Sequence, residues 1–314
     1  MRILSLLPAA TEIVSALGYE SKLVGRSHEC DFPVDVQSLP VCTKPDEQLK
    51  HSSTQHIDRD IKRLISDGLS IYQVDYEMLQ SLKPDIIITQ DHCEVCAVEF
   101  SQIEQAVAEA LDYQPVVLSL SPQNLDDVRE SFVEIASTVG DTIGGMNLSA
   151  RFTKKMKSIT NKCNSTTASN EVFCVEWMDP LLATGNWLPE LVGAVNAEPM
   201  FGTTGKHAKP IAWPDVLAAN PAKMIIMPCG FTIDQTLADI DIMTGKDGWA
   251  TLDAVKNRQV FIADGHHYFN RPGPRLLDST KILAEILYPD DFKAKLKHKG
   301  WVNLFETETD LEVH

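Results

Sequence analysis

An acid, an imidazole and two thiols follow one another in Asp91-His92-Cys93-Glu94-Val95-Cys96, directly after the proline-led run Pro84-Asp85-Ile86-Ile87-Ile88-Thr89-Gln90. The Cys93-x-x-Cys96 spacing lets two thiolates face one soft metal, zinc or iron, or cycle as a dithiol. Further metal ligands would have to come from distant loops, with Cys30 and Cys229 completing the thiol set and His28 and His92 as nitrogen donors. Two other readings stand beside this one. Free cysteines often serve as small buried hydrophobes at a strand end, and the loop can also touch a bound ligand without any metal.

A second stretch, Asp264-Gly-His266-His267-Tyr268-Phe269-Asn-Arg271-Pro-Gly-Pro-Arg275, sets two histidines, two aromatics and two arginines ahead of a helix. Stacking rings and forked guanidinium donors suit a planar or anionic ligand. A proline-stiffened loop whose Arg275 pairs with an acid explains the same residues equally well. Glu176-Trp177 and Trp187 put two indoles near another strand end, as pocket wall or as lobe packing. Standard catalytic signatures are missing. Gly202-Thr-Thr-Gly205-Lys206-His207 lacks phosphate-loop spacing, and no Gly-x-Gly-x-x-Gly, His-Glu-x-x-His or Gly-x-Ser-x-Gly occurs.

These residues share one property. His28, Glu29, Cys30, His92, Cys93, Cys96, Glu176, Trp177, Cys229, His266 and His267 each follow a predicted strand. Open parallel sheets bind ligands at the carboxyl ends of their strands. The elements needed to position them read as alternating strands and helices, which makes the fold α/β with mostly parallel sheets. The first lobe covers 1–123, with strands over 2–7, 22–25, 84–90 and 115–120 and helices over 11–17, 57–67, 76–82 and 99–111. A nearly continuous helical stretch over 124–163 is too long for a plain crossover and reads as a strut. Alternation resumes over 164–314, with strands at 172–175, 224–227 and 260–263 and helices at 190–195, 213–219 and 276–287. The two lobes look like weak copies: Glu12-Ile-Val-Ser-Ala-Leu-Gly matches Glu190-Leu-Val-Gly-Ala-Val-Asn, and Lys83-Pro84 leads a strand as Asn220-Pro221 does. Matched lobes on a strut should face one another across a cleft holding the candidate residues.

Composition narrows the partners. With 44 acidic against 28 basic residues, the net charge of −16 argues against nucleic acid or an anionic membrane, and no Lys/Arg cluster stands out. No apolar run approaches the roughly 18 residues of a membrane span. Ile3–Ala10 reads as a first strand rather than a signal core, so the expected location is cytoplasmic, or periplasmic if a signal peptide has been removed. Seven cysteines, an odd number without a secretion signal, favour free thiols over a disulfide framework.

Ile3-Leu-Ser-Leu-Leu-Pro-Ala-Ala-Thr-Glu12, Leu17-Gly18, Leu23-Val24-Gly25, Lys83–Ile87 and the stretch from Trp249 to Val260 resemble the class III substrate-binding proteins for cobalamin and ferric siderophores. His28-Glu29-Cys30-Asp31, Cys93–Cys96, Glu176-Trp177, Trp187–Glu190 and Tyr268–Arg275 resemble a cobalamin-binding-like subgroup of it. The resemblance covers nearly the whole chain. It implies two Rossmann-like lobes bridged by a long interlobe helix and a non-enzymatic role, binding a corrinoid or related metal chelate between the lobes. On that reading Trp177, Trp187, Tyr268 and Phe269 wall the ligand, Glu29 and Glu176 stand beside it and Arg271 meets its acidic or amide groups. His28, His92 or His267 approaches the metal as axial donor. An ABC transporter is the partner if the chain is exported. The alternative is a metal- or thiol-dependent enzyme on the same fold, using Cys93 and Cys96 with Cys30 or Cys229.

Overall fold

The computed structural model describes residues 1–45, 57, 72–90, 105, 107, 109, 111–163 and 171–306. The expected helix over 57–67 apart from Ile57, most of that over 99–111 and the whole Asp91–Cys96 loop lie outside the described residues, and with the loop go His92, Cys93 and Cys96. The chain divides into two compact units, Met1–Phe152 and Thr153–His314.

In the first unit, strands β1 (Ile3–Ser5), β2 (Leu23–Arg26), β5 (Ile86–Gln90) and β6 (Val116–Leu120) form one parallel sheet in the order β2-β1-β5-β6. The central strands are continuous apolar runs because a parallel sheet is covered on both faces, and Ile3, Leu4, Ile86, Ile87 and Ile88 are all buried. Strands β3 (Thr43–Pro45) and β4 (Tyr72–Val74) pair antiparallel beside it. Helix α1 (Pro8–Ala16) begins three residues earlier than the expected start at Thr11. Pro8 explains the shift, since its fixed φ suits the first helical turn, where a missing N–H costs nothing. Thr11 therefore lies inside the helix, and its hydroxyl turns to Ser5 Oγ at 2.8 Å. Helix α2 (Tyr76–Leu82) is capped by Asp75, whose carboxylate accepts the Met78 N–H at 2.9 Å. Asn124 caps α3 (Leu125–Thr138) in the same way through the N–H groups of Asp126 and Asp127. Leu4, Leu79, Leu82, Ile87, Val107 and Cys42 make the core, where burial pushes the Cys42 thiol up to about 12.

Helix α4 (Thr142–Cys163) runs through the point where one unit gives way to the next. The second unit then contains β7 (Glu171–Val175), the small hairpin strands β8 (Trp177–Met178) and β9 (Leu181–Leu182), α5 (Leu188–Ala194) and β10 (Glu198–Pro199). There follow α6 (Trp213–Ala219), β11 (Met224–Ile226), α7 (Ile233–Ala238), β12 (Val260–Ala263), α8 (Leu276–Leu287) and β13 (Trp301–Asn303). The sheet order is β10-β7-β11-β12-β13, parallel except for β13. Its core joins Phe173, Val175, Ile226 and Ile262 of the strands to Met243, Trp249 and Leu252. Fully enclosing a side chain of the size of Phe173 contributes about 2–3 kcal/mol. Cys174 sits among these strand residues, its thiol pushed up to about 12 by burial, so it packs as a small hydrophobe.

The weak internal repeat has a structural counterpart. Strand for strand, β2-β1-β5-β6 matches β10-β7-β11-β12, with α1 and α5 in the same crossover position. Helices α2 and α6 are each seven residues long and each ends on a left-handed residue, Lys83 at φ 45° and Asn220 at φ 44°. Pro84 and Pro221 follow, blocking further helix and setting up β5 and β11.

Candidate functional site

The second unit concentrates its chemistry at the carboxyl ends of β7, β11 and β12. Beyond β12 the chain makes one π-helical turn, Gly265–Phe269, a geometry often found at functional positions. Asp264 caps this turn. One of its oxygens accepts the His267 backbone N–H at 2.7 Å and the other meets His267 Nδ1, also at 2.7 Å. An ionised carboxylate only accepts, so Nδ1 carries the ring proton and, in the neutral imidazole, Nε2 keeps the lone pair. Carboxylate support of this kind orients metal-binding histidines and raises their basicity. His266 is set differently. Its Nε2 lies 3.0 Å from Arg271 Nη2, and since guanidinium has no acceptor, His266 Nε2 must accept. Two adjacent histidines, with rings T-stacked at 4.6 Å, thus hold the same tautomer, each with its proton on Nδ1, and differ in what that tautomer serves.

Gly265 makes this turn possible. A Cβ there would come within 2.1 Å of the Pro228 carbonyl oxygen, so the loops after β11 and β12 touch backbone to backbone. His266 N–H adds a bond to the Phe231 carbonyl at 3.0 Å. Phe231 in turn meets Trp177 edge to face at 5.5 Å, and Trp177 is the half-buried indole of the cluster. Trp187, Tyr268, Phe269 and Arg271, expected to wall a ligand, are 6%, 6%, 0% and 4% exposed. Trp187 donates its indole N–H to the Phe269 carbonyl at 2.9 Å, and Arg275 lies over the Tyr268 ring. All four are buried in the folded chain. They stiffen the loop that carries His267.

Glu176 stands at the end of β7. Its Oε2 accepts the Gly185 N–H at 2.9 Å, and its carbonyl accepts the N–H of Cys229, whose side chain is exposed. Burial pushes the Glu176 carboxyl up to about 7, partly offset by the Gly185 N–H. The folded value lies above the unfolded one of about 4.3, so the group's favourable contribution is complete below that unfolded value and is lost as pH rises through about 7. Glu176→Gln keeps an acceptor for Gly185 without the charge. In urea melts it should be more stable than wild type by about 1–2 kcal/mol at about pH 8, a figure discounted for half-burial, with the gap closing toward about pH 5. A constant gap across that range would contradict the assignment.

In the first unit, His28 follows β2 and is held at both ring nitrogens, with Thr43 Oγ1 2.8 Å from Nδ1 and Glu29 Oε1 3.3 Å from Nε2. The Thr43 hydroxyl is a hydrogen-bond partner of Nδ1, whereas Glu29 approaches Nε2 at ion-pair distance without hydrogen-bond geometry. Thr43 also lines a cavity of about 650 Å³ with Val41, Lys44 and Tyr76. Cys30 is fully buried, its Sγ 3.1 Å from Thr11 Oγ1 and 3.2 Å from Ser27 Oγ. Hydroxyl groups at these distances are the surroundings of a packed thiol. Nothing in the sequence singles out Thr43, and Asp264 stands in the candidate stretch without a role of its own. The signal for Asp264 was present, as an Asp three residues before a residue whose N–H it caps is a standard turn arrangement.

Two α/β units of one strand order, with imidazole, carboxylate and indole groups gathered on strand-end loops, define a two-lobed protein of the substrate-binding class. A family model for periplasmic binding proteins matches residues 3–266, and the chain belongs to that family. It is 24% identical over 307 residues to the uncharacterized ABC transporter substrate-binding lipoprotein YvrC of Bacillus subtilis, covering 93% of this chain and 81% of that protein. It is 22% identical over 288 residues to the vitamin B12-binding protein of Vibrio cholerae, covering 91% and 88%. Among solved structures, a possible iron-binding periplasmic protein of Staphylococcus epidermidis shares the fold at a TM-score of 0.69 and 20% identity, covering 91% and 98%. A periplasmic heme-binding protein of Pseudomonas aeruginosa does so at 0.67 and 19%, covering 92% of each chain. Three of these four are named as periplasmic or as a lipoprotein, which lends the cytoplasmic expectation no support.

Proposed function

We propose that this chain is the capture protein for a metal chelate of the corrinoid class, handed on to an ABC transporter, with His267 Nε2 presented to the metal. The observation that carries the reading is the Asp264–His267 pair, a carboxylate-oriented imidazole on a rigid strand-end turn. Support comes from relatives named for vitamin B12, heme and iron, each a metal or a metal-bearing ligand. His266 is disqualified as the donor through Nε2, because that atom already accepts from Arg271. Trp177 supplies a half-buried indole for the flat face of such a ligand.

Aquocobalamin, whose axial water exchanges, is the probe. Mixing it with the protein should shift its visible spectrum and raise the melting temperature, equivalent to about 2.7 kcal/mol at a hundredfold excess over Kd. Cyanocobalamin should stabilise the protein without the spectral shift. His267→Ala should abolish the shift, and Asp264→Asn should weaken binding about ten- to hundredfold. If neither cobalamin changes the melting temperature while ferric haem does, the ligand class moves to porphyrins. If none of the three acts, the proposal is lost.

A further inference from the structure

Helix α4 carries a surface unlike the rest of the molecule. Between Thr142 and Cys163 there are five cations, Arg151, Lys154, Lys155, Lys157 and Lys162, and no acid, in a chain of net charge −16. At 100° per residue, Leu148, Phe152, Met156, Ile159 and Cys163 fall on one side, and all five are buried. The opposite side is exposed along its whole length, and the successive positions Ile143, Met146, Ala150, Lys154 and Lys157 form one stripe, with Arg151 and Lys155 to one side of it. Ile143 and Met146 are 73% and 59% exposed, high values for large aliphatic side chains. Among the described residues no ion pair engages Arg151, Lys154, Lys155 or Lys157. Positive charge is therefore displayed without internal neutralisation, next to two aliphatic side chains in water.

We infer that this face of α4 is a docking surface for the anionic headgroups of a lipid bilayer. Apolar residues in line with lysines on an exposed helix face match interfacial adsorption, in which short aliphatic side chains enter the acyl boundary and ammonium groups meet phosphates. An acidic protein is the competing partner, and the residue types favour lipid. Protein interfaces are enriched in Arg and aromatics and poor in Lys, whereas four of these five cations are Lys and the exposed stripe holds no aromatic residue. Attraction of this kind acts only within about a Debye length, roughly 10 Å at 0.1 M salt, so a local stripe can adhere although the whole chain is acidic. This qualifies the expectation drawn from net charge alone, because total charge does not report how cations are arranged on a helix.

The test is flotation of the full chain with vesicles of phosphatidylglycerol and phosphatidylcholine in equal parts, against vesicles of phosphatidylcholine alone. Wild type should float with the anionic vesicles only, and less as salt rises. Lys154→Glu/Lys155→Glu/Lys157→Glu should lower the partition on the order of tenfold or more, and the milder Lys→Gln triple variant should do so in part. Ile143→Ser/Met146→Ser should weaken adsorption while leaving its salt dependence. Unchanged melting temperatures in the variants guard against misfolding as the cause. The inference is overturned if wild type does not float with anionic vesicles at low salt, or if the charge-reversed variant floats equally. It is also overturned, in favour of an acidic protein partner, if wild type ignores vesicles yet binds polyglutamate through the same lysines.

Discussion

Glu285→Ala is expected to cost about 3–5 kcal/mol of stability, because it strands three N–H donors, buried or partly so, at roughly 1–3 kcal/mol each. Glu285 lies on the inner face of α8 and is 4% exposed. Its Oε1 accepts the Lys295 N–H at 3.0 Å, and its Oε2 accepts the Leu296 N–H at 3.0 Å and the Trp301 indole N–H at 2.9 Å. Truncation leaves all of these donors facing a cavity. The damage should not stay local, because the segment they hold supports the site. The Gly300 carbonyl accepts the Asp264 N–H at 2.9 Å, and Trp301 pairs with Ala263 in the last rung of β12 and β13. Asp264 in turn orients His267. Glu285→Gln keeps one oxygen acceptor and should recover part of the loss. Denaturant melts measure the first effect and aquocobalamin titration the second. A midpoint shift no larger than that of an exposed control such as Asp253→Ala would refute the account of Glu285 as the knot of this segment.

Gly265→Ala should cost about 3 kcal/mol or more through overpacking and should also abolish the site. The argument is one of space and not of backbone strain. The added methyl would stand 2.1 Å from the Pro228 oxygen and 2.9 Å from that of Met227, both main-chain atoms that no rotamer change can move. Relief requires the loops after β11 and β12 to separate. That separation pulls His266 from the Phe231 carbonyl and lifts the π-helical turn that presents His267. Gly193→Ala, at a glycine with open space around it, is the matched control and should be nearly silent. Should Gly265→Ala melt like wild type, the close approach of the two loops would have to be abandoned.

Much of this architecture can be read from residues alone. Pattern and punctuation place α2, α6, β12 and α8 at their observed bounds, because Asp75 caps, Lys83-Pro84 and Asn220-Pro221 stop, and Val260–Ala263 is a bare β-branched and aromatic run. The site was legible as a set of loops but not as a set of contacts. An Arg among aromatics reads equally as a ligand clamp or as packing, and only geometry shows that Arg271 is committed to His266 and Trp187 to the Phe269 carbonyl. Distance along the chain hides Glu285 as well. Its one sequence signal is an acid inside the apolar run Ile282-Leu-Ala-Glu-Ile-Leu287. Four cations of α4 stand close together over Arg151–Lys157, but only the helical period shows that Phe152 and Met156 between them turn inward while the cations stay exposed.

The antiparallel β13 has a further consequence. A parallel sheet ending at β12 would expose a row of unpaired N–H and carbonyl groups along Val260-Phe-Ile-Ala263, an apolar run with high β-propensity and no charge. Such an edge is a template on which another copy of the same strand can add. By pairing Asn303, Val302 and Trp301 with Phe261, Ile262 and Ala263, the chain occupies its own most adhesive border. The carboxylate that secures this last strand thus also protects against fibrillar self-assembly, a hazard that would appear first in any variant able to fold its core but unable to keep that strand in place.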